Sequence, residues 1–461
     1  MKRHLVNLLT ILTLGLSLSC GVVAQPRSSA IDTAQRPTVQ SLAGFEDQTQ
    51  EIVGHAERLI EKNDREGAVL DQKWYGFRRF GKYQELFLGA DRVLFYGGLE
   101  ADIRSHIERQ YLTLAPLDEN QDPGDIRLFA GRLPGEKWDY IVIGQNGREV
   151  ALKTMIRLIY MAKFADAAMK QKHRVRLQAF SRSLRVFMSP VSPRHEYLTF
   201  FNKHDIRNPD AVVIGFMSDA RALMSELGFV NPETYSDESL RVTWHKNANG
   251  KKVLLISING NRIFASRSAQ LIEALYEIAP DSRPLITFLG SAGAVDAPEL
   301  VGKIVAPTSV MNGDPFPKVK DQGALVHLIR NRAADLVPMQ STHASVESVV
   351  VETTEWAREI KNRRVRTVDQ ELYYVIDAIN SSARGAESQV YAGILVTDNI
   401  ATDKSATEIT LEHAEETIAQ TTDLRKQFLL NVFRKKGILK DPASQELLEE
   451  NGRRRTGTSD R

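Results

Sequence analysis

Short apolar runs recur along the chain, and each is followed by residues whose apolar positions have helical spacing. Eight of these runs have the length and composition of buried strands: residues 93–96, 140–143, 211–214, 253–258, 285–289, 304–306, 365–368 and 390–396. Strands that alternate with helices predict an α/β fold with a largely parallel sheet.

Two longer segments have the apolar spacing of amphipathic helices. The first covers residues 50–72, ahead of the first predicted strand. The second covers residues 408–436, where Leu424, Phe428 and Val432 fall near one helical face. The second segment is predicted to be the closing helix of the fold.

Two stretches of the chain, residues 92–161 and 211–276, share one layout. Each has an apolar strand, a glycine turn, a short acidic stretch, a helix, a second apolar strand, a glycine-containing turn and another helix. A lysine- and arginine-rich segment, residues 170–194, lies between them. Two interpretations stay open: an internal duplication, or the likeness that any two β-α-β units share.

The first 24 residues have the pattern of a secretory signal peptide. Lys2 and Arg3 precede a mostly apolar run over residues 5–18, which is short for a membrane span. Cleavage before Gln25 would export the protein to the periplasm or the medium. An N-terminal membrane anchor is one alternative, and lipidation of Cys20 is another, weaker because of Ser17.

Composition narrows the class of protein. The chain has 461 residues, 42% of them hydrophobic, which suits two or three packed domains. Lys and Arg number 60 against 58 Asp and Glu, a balance that argues against a nucleic-acid binder. The single cysteine excludes an intrachain disulfide and a cysteine zinc cluster, and no metal site is predicted.

These patterns divide the chain into five segments. We predict a signal peptide over 1–24, a linker over 25–48, an α/β region over 49–208, a second α/β domain over 209–433 and a charged flexible tail over 434–461.

Three short signatures in the second domain carry chemistry. Small residues at 290–293 follow a predicted strand and let a ligand approach the backbone. The segment 368–371 ends in a carboxylate that opens a helix, and 397–399 places another at a strand end. Taken alone, each signature also fits a common structural role. Residues 290–293 could be a tight turn, 368–371 could place an acid in the first turn of a helix, and 397–399 could form an Asx turn.

The order and spacing of these signatures resemble those of the purine nucleoside phosphorylase and nucleosidase superfamily, which includes methylthioadenosine/adenosylhomocysteine nucleosidases. The resemblance covers about residues 209–433, including the segments 211–227, 256–275 and 285–308. It implies a three-layer α/β/α fold around a mixed, partly barrel-like sheet. The region 49–208 would then be a smaller α/β unit that precedes this domain.

The resemblance also implies roles for individual residues. Glu371 would hold the ribose 2′ and 3′ hydroxyls, and Asp398 would protonate the purine as it leaves. Ser291, beside Gly290, would face phosphate or a nucleophilic water. The implied ligand is a small-molecule nucleoside, with no cofactor, with inorganic phosphate as co-substrate in a phosphorylase, and with self-association into oligomers.

Several positions depart from the family pattern. Gln370 stands where nucleosidases usually have methionine, and His343 is the nearest candidate for the aromatic residue that stacks on the base. Ala220 occupies the place of the glutamate that activates water. That role could pass to the neighbouring Asp219, to Arg221 as a phosphate ligand, or to Asp102 of the first unit.

These departures leave two hypotheses for function. The first is an exported enzyme that cleaves the N-glycosidic bond of purine-type nucleosides. The second is a non-catalytic nucleoside-binding or scaffold protein on the same fold.

Overall fold

The computed structural model describes most of the chain after residue 44. The described ranges, with a few isolated positions between them, are 45–64, 92–97, 113–116, 127–132, 138–143, 167–189, 191–215, 233–237, 240–246, 250–257, 266–313, 326–328, 339–346, 354–383, 389–399 and 422–439.

A six-stranded sheet forms the first half of the molecule. Its elements in chain order are β1 (Glu46–Asp47), α1 (Thr49–Asp64), β2 (Arg92–Gly97), β3 (Thr113–Pro116), β4 (Arg127–Arg132), β5 (Trp138–Ile143), α2 (Ala167–Ser183) and β6 (Leu184–Met188). The strand order is β1-β6-β2-β5-β4-β3. Strand β2 runs parallel to β5 and β6, and the outer pairings are antiparallel.

A second, larger sheet follows. Its elements are α3 (Pro193–Lys203), β7 (Ala211–Gly215), β8 (Glu233–Ser236), β9 (Arg241–Lys246), β10 (Lys252–Ser257), α4 (Ser266–Ile278), β11 (Leu285–Ala294), β12 (Ile304–Asn312), β13 (Val326–Leu328), β14 (Gln340–Ser345), α5 (Thr354–Asn362), β15 (Thr367–Asp369), α6 (Leu372–Ser381), β16 (Val390–Asn399) and the helix α7 over residues 422–435.

Part of the second sheet closes on itself. The strand order β13-β12-β14-β15-β11-β7-β10-β9-β8 places β12, β14, β15 and β11 side by side, and β16 pairs with both β11 and β12. These five strands therefore form a closed ring, which confirms the predicted partly barrel-like sheet.

The directions of the strands correct the expectation of a largely parallel sheet. Strand β15 runs antiparallel to β11, and β16 runs antiparallel to β12. The hairpin partners β8 and β9 add further antiparallel pairs. The sheet is mixed in part because β8 and β9, which carry no apolar run, supply antiparallel pairings that the hydrophobic pattern does not show.

Helices cover both faces of the second sheet. Val212 and Ile214 of β7 belong to one buried core, together with residues of α3, α4 and α6. The alternate residues Ala211 and Val213 belong to a second core with Phe428 and other residues of α7. Since successive side chains of a strand point to opposite faces, the arrangement has three layers, as predicted.

The two halves of the chain share one topology. The order β6-β2-β5-β4-β3 in the first sheet matches β11-β7-β10-β9-β8 in the second, with the same direction at every pair. The registers match as well: Val93 pairs with residues 140 and 184, and Ala211 pairs with residues 253 and 285. The two units thus share their strand order over five strands and their register over three, as far as β6 and β11, which both of the open interpretations allow.

In both units a charged contact joins the start of the first strand to the neighbouring strand, with an arginine in one unit and an aspartate in the other at the equivalent position. In the first unit Arg92 pairs with Asp139, with Nη2 2.6 Å from Oδ2. In the second unit, the residue ahead of the equivalent strand is Asp210, whose carboxylate accepts from the Lys252 backbone N–H at 2.8 Å and from Lys251 Nζ at 2.9 Å. Both pairs tie the first strand of the unit to the strand beside it.

Most predicted elements are present where the structure describes the chain. All eight predicted strands are found, and the first predicted helix begins at Thr49 and ends at Asp64. The closing helix is described over 422–435, and the remainder of its predicted span lies outside the described residues. The end of the predicted linker differs, because Glu46–Asp47 forms a strand that pairs with β6.

The predicted signal peptide and nearly all of the predicted tail lie outside the described residues. Among the helices that the structure does describe, none combines the length and apolarity that a membrane crossing requires.

Candidate functional site

The three chemical signatures of the sequence meet at one strand. Gly293 of β11 pairs on one side with Val368 of β15 and on the other side with Asp398 of β16. Two residues earlier, Ser291 pairs with Leu395. Segments 290–293, 368–371 and 397–399, which are far apart in sequence, therefore lie next to one another in the closed part of the sheet.

Strand β11, in the middle of this junction, has no room for a side chain at Gly290. A Cβ atom on Gly290 would lie 2.6 Å from the ring of Phe288 and 3.1 Å from Ile394. Ser291 is half-buried, between the fully buried stretch of β11 and the end of the strand. Gly290 is buried, whereas Ser291 and Gly293 are partly exposed at the point where the other two segments arrive.

Glu371 stands at the entry to α6 and is 3% exposed. Its backbone N–H donates to Asp369 Oδ1 at 3.1 Å, and its own Oε2 accepts from the backbone N–H of Gln370 at 3.1 Å. A carboxylate at a helix N-terminus is stabilised by the helix dipole.

A buried polar network holds this turn in place. Asp369 Oδ1 accepts from Ser345 Oγ at 2.5 Å, and both Asp369 oxygens accept from the backbone N–H of Leu372 at 3.2 Å. Ser345 Oγ in turn accepts from the backbone N–H of Tyr373 at 2.8 Å. Since the first N–H groups of a helix have no partner within the helix, these side chains cap α6 and fix the position of Glu371.

His343 belongs to the same network. It is fully buried, and its Nδ1 lies 2.9 Å from Thr367 Oγ1, which also contacts Ser341 Oγ at 3.2 Å. Its Nε2 lies 2.9 Å from Asp369 Oδ1, without hydrogen-bond alignment. These contacts give His343 a structural role between β14 and β15. They offer no open ring face for a stacked base.

Replacing Asp369 with asparagine is expected to loosen this turn. An amide has one acceptor oxygen where the carboxylate has two, and hydrogen bonds to a charged acceptor are the stronger kind. We expect the free energy of unfolding to fall by about 1–3 kcal/mol in a urea titration. Asp377→Asn, a half-buried change on the same helix, is the matched control. Equal unfolding midpoints for the two variants would contradict a capping role for Asp369.

A residue that the sequence did not single out reaches Ser291. Arg425 of α7 donates from Nη2 to Ser291 Oγ at 2.6 Å. Burial lowers the pKa of this guanidinium, although it remains charged at neutral pH. The helix is held close to the sheet at Gly393, where a Cβ atom would lie 2.8 Å from the ring of Phe428. The spacing of Arg425 three residues ahead of Phe428 was the only sequence signal for it.

Several predicted site residues lie outside the part that can be described. Asp219, Ala220 and Arg221 follow β7, and Asp102 follows β2, in segments without described placement. For Asp398 the backbone position is described, and its side chain is not. Within the described residues, no three His, Cys, Asp or Glu side chains are grouped so that they could hold a metal ion.

Solved structures of nucleoside-processing enzymes are similar to about half of this chain. No family model matches the sequence, and no curated protein matches it. Among solved structures, a methylthioadenosine phosphorylase from an antarctic soil metagenomic library is 17% identical, over 51% of this chain and 90% of its own, with a TM-score of 0.36.

Two structures from Helicobacter pylori have a comparable similarity to this chain. The 5′-methylthioadenosine/S-adenosylhomocysteine nucleosidase is 13% identical, over 48% of this chain and 98% of its own, with a TM-score of 0.38. A futalosine hydrolase mutant is 12% identical with the same coverage of 48% and 98% and the same TM-score of 0.38. At these identities the likeness transfers no residue role.

Proposed function

We propose that this protein is an exported enzyme that cleaves the N-glycosidic bond of a purine-type nucleoside. The observation that carries the proposal is the double pairing of Gly293, which brings the segments of Glu371 and Asp398 to the two sides of one strand. Each of these segments has an ordinary structural role alone. Their meeting beside the half-buried Ser291 is what favours a site.

The chemistry of the reaction suits these groups. Breaking the glycosidic bond builds positive charge on the sugar and negative charge on the departing base. The buried carboxylate of Glu371 would accept hydrogen bonds from two sugar hydroxyls and stabilise the positive charge. Asp398 would deliver a proton to the base as a general acid. No cofactor is needed for this step.

The cellular setting is part of the same proposal. The N-terminal 24 residues would direct export, so that the enzyme acts on nucleosides outside the cytoplasm. The mature protein would bind a small-molecule nucleoside, with no nucleic acid as partner, and would self-associate. Size-exclusion chromatography of the chain from Gln25 onward would measure that association.

The direct test is release of free base. Purified protein is incubated with adenosine, inosine and methylthioadenosine, and free base is separated and quantified by chromatography. Base release from at least one nucleoside supports the proposal. Tight nucleoside binding in calorimetry without any release would contradict it and favour the non-catalytic nucleoside-binding protein.

A further inference from the structure

Helix α2 of the first unit concentrates positive charge. Its 17 residues, Ala167–Ser183, include five lysines and arginines and no aspartate or glutamate. The sequence continues without an acidic residue until Glu196. Like charges four residues apart on a helix, as at Lys172 and Arg176, destabilise it. The helix itself contains no carboxylate side chain that would offset this repulsion.

Part of this charge lies on an open face of α2. Lys172, Arg174 and Arg182 are exposed, and among the described residues no carboxylate lies within ion-pair distance of any of them. Several surface cations elsewhere have such a partner, such as Arg194, whose Nη2 lies 2.5 Å from Glu277 Oε2. The outer face of α2 is thus a positive surface that the described part of the chain does not neutralise.

The counterpart of α2 in the second unit has no such face. Helix α2 lies between β5 and β6 in the chain, and α4 lies between the equivalent strands β10 and β11. In α4, Leu271, Ile272 and Leu275 are buried in a core that includes residues of α3 and α6. In α2, Phe180 is the one buried side chain among those that the structure describes. The position of α2 in the strand order therefore does not account for its open, cationic face.

An apolar side chain lies among these charges. Val175 is 55% exposed and is the one large hydrophobic side chain that the described residues leave exposed. It comes three residues after Lys172 and seven before Arg182, spacings that place all three on one face of a helix. The two cations are about 15 Å apart along the helix axis. The face therefore has an apolar centre with a cation on each side.

We propose that this outer face of α2 binds the surface of an anionic lipid bilayer. Lipid phosphates complement the exposed lysine and arginines, and the boundary between headgroups and acyl chains accepts Val175. A nucleic-acid backbone would complement the cations and leave the valine in water. Binding of this kind is peripheral and reversible, because it depends on surface charge and a single apolar side chain.

Vesicle sedimentation with the chain from Gln25 onward tests the proposal. We expect the protein to sediment with vesicles that contain phosphatidylglycerol at low salt, and to stay in solution with vesicles of phosphatidylcholine alone. Binding should be lost at about 1 M salt, where the Debye length is about 3 Å. Absence of binding to the anionic vesicles at low salt would overturn the proposal.

A triple variant locates the binding surface on α2. Combining Lys172→Gln, Arg174→Gln and Arg182→Gln should lower the partition onto anionic vesicles about 100-fold, the usual contribution of three basic residues near such a surface. Glutamine is a good helix former and the three positions are exposed. The unfolding midpoint should therefore not fall.

The matched control removes the same charge elsewhere. Lys203→Gln, Arg207→Gln and Lys303→Gln change exposed cations outside α2, and this triple variant should bind anionic vesicles nearly as tightly as the wild type. An equal loss of binding in the two triple variants would show an effect of net charge alone and would overturn the site on α2.

Val175→Ser distinguishes a bilayer from a nucleic acid. We expect its partition onto anionic vesicles to fall about 3- to 10-fold, because less apolar surface leaves water on binding. An unchanged partition would overturn the proposal, as would tighter binding of the wild type to duplex DNA than to anionic vesicles at the same salt. These assays measure binding alone, so their result stands whether or not the protein cleaves nucleosides.

Discussion

Replacing Asp398 with asparagine is expected to lower kcat for base release by about 10²- to 10⁴-fold, the usual contribution of a positioned general acid. The amide has nearly the same shape, so β16 should keep its pairing with β11 at Gly293. It cannot deliver a proton to the departing base, which must then leave as an anion. The KM for nucleoside should change little, because the lost interaction is made mainly in the transition state.

The measurement is steady-state base release from the best nucleoside substrate, with the unfolding midpoint recorded for the same samples. Asp281→Asn is the matched control, since that exposed aspartate follows α4 and lies outside the proposed site. Wild-type turnover in Asp398→Asn would remove this aspartate from the mechanism. A substrate with a better leaving group should recover part of the lost rate, which a merely misfolded site would not allow.

The apolar strands of the fold could be predicted from sequence because burial on both faces leaves a continuous hydrophobic run. Strand β14 was missed for the opposite reason. Its sequence from Gln340 to Ser345 is mostly polar, yet residues 341–345 include side chains that are buried and bonded to β15. A polar residue that finds its partner only in the folded chain carries no hydrophobic signal.

Part of the candidate site could likewise be predicted from the sequence, and part of it could not. The segments of Ser291, Glu371 and Asp398 were predictable, because a strand that ends in small or acidic residues is a local pattern. Arg425 was not, since its partner Ser291 lies 134 residues earlier in the chain. On a helix with an apolar stripe, an arginine beside the stripe has the same pattern as a solvated one. Only the packing of α7 on the sheet distinguishes the two.

The strand order that the two units share separates the common part of the second sheet from the part that holds the candidate site. The first sheet has counterparts of β7 to β11, with the same order and register, among its described strands. The second sheet adds β12 to β16, and two of these strands carry the segments of Glu371 and Asp398. The proposed chemistry therefore depends on the part of the second sheet that closes the ring, and the strands with counterparts in the first sheet lie beside it.

Replacing Glu371 with glutamine is expected to weaken both binding and rate. The amide loses the negative charge that would stabilise the positively charged sugar, and it keeps one acceptor where the carboxylate has two. We expect the KM for nucleoside to rise by about 10-fold and kcat to fall by about 10- to 100-fold, from the worth of hydrogen bonds to a charged acceptor. Glu273→Gln, an exposed change on α4, is the control for both constants.

Substitutions at Glu371 and at Asp369 should have different effects on the free energy of unfolding. Asp369 makes its hydrogen bonds within the protein, so Asp369→Asn lowers the free energy of unfolding. Glu371 accepts from the Gln370 backbone N–H at 3.1 Å, a bond that an amide oxygen can also accept, and burying its charge costs free energy. Glu371→Gln should therefore leave the unfolding midpoint unchanged or raise it while activity falls. Loss of stability equal to that of Asp369→Asn would make Glu371 a structural residue and would exclude it from the sugar site.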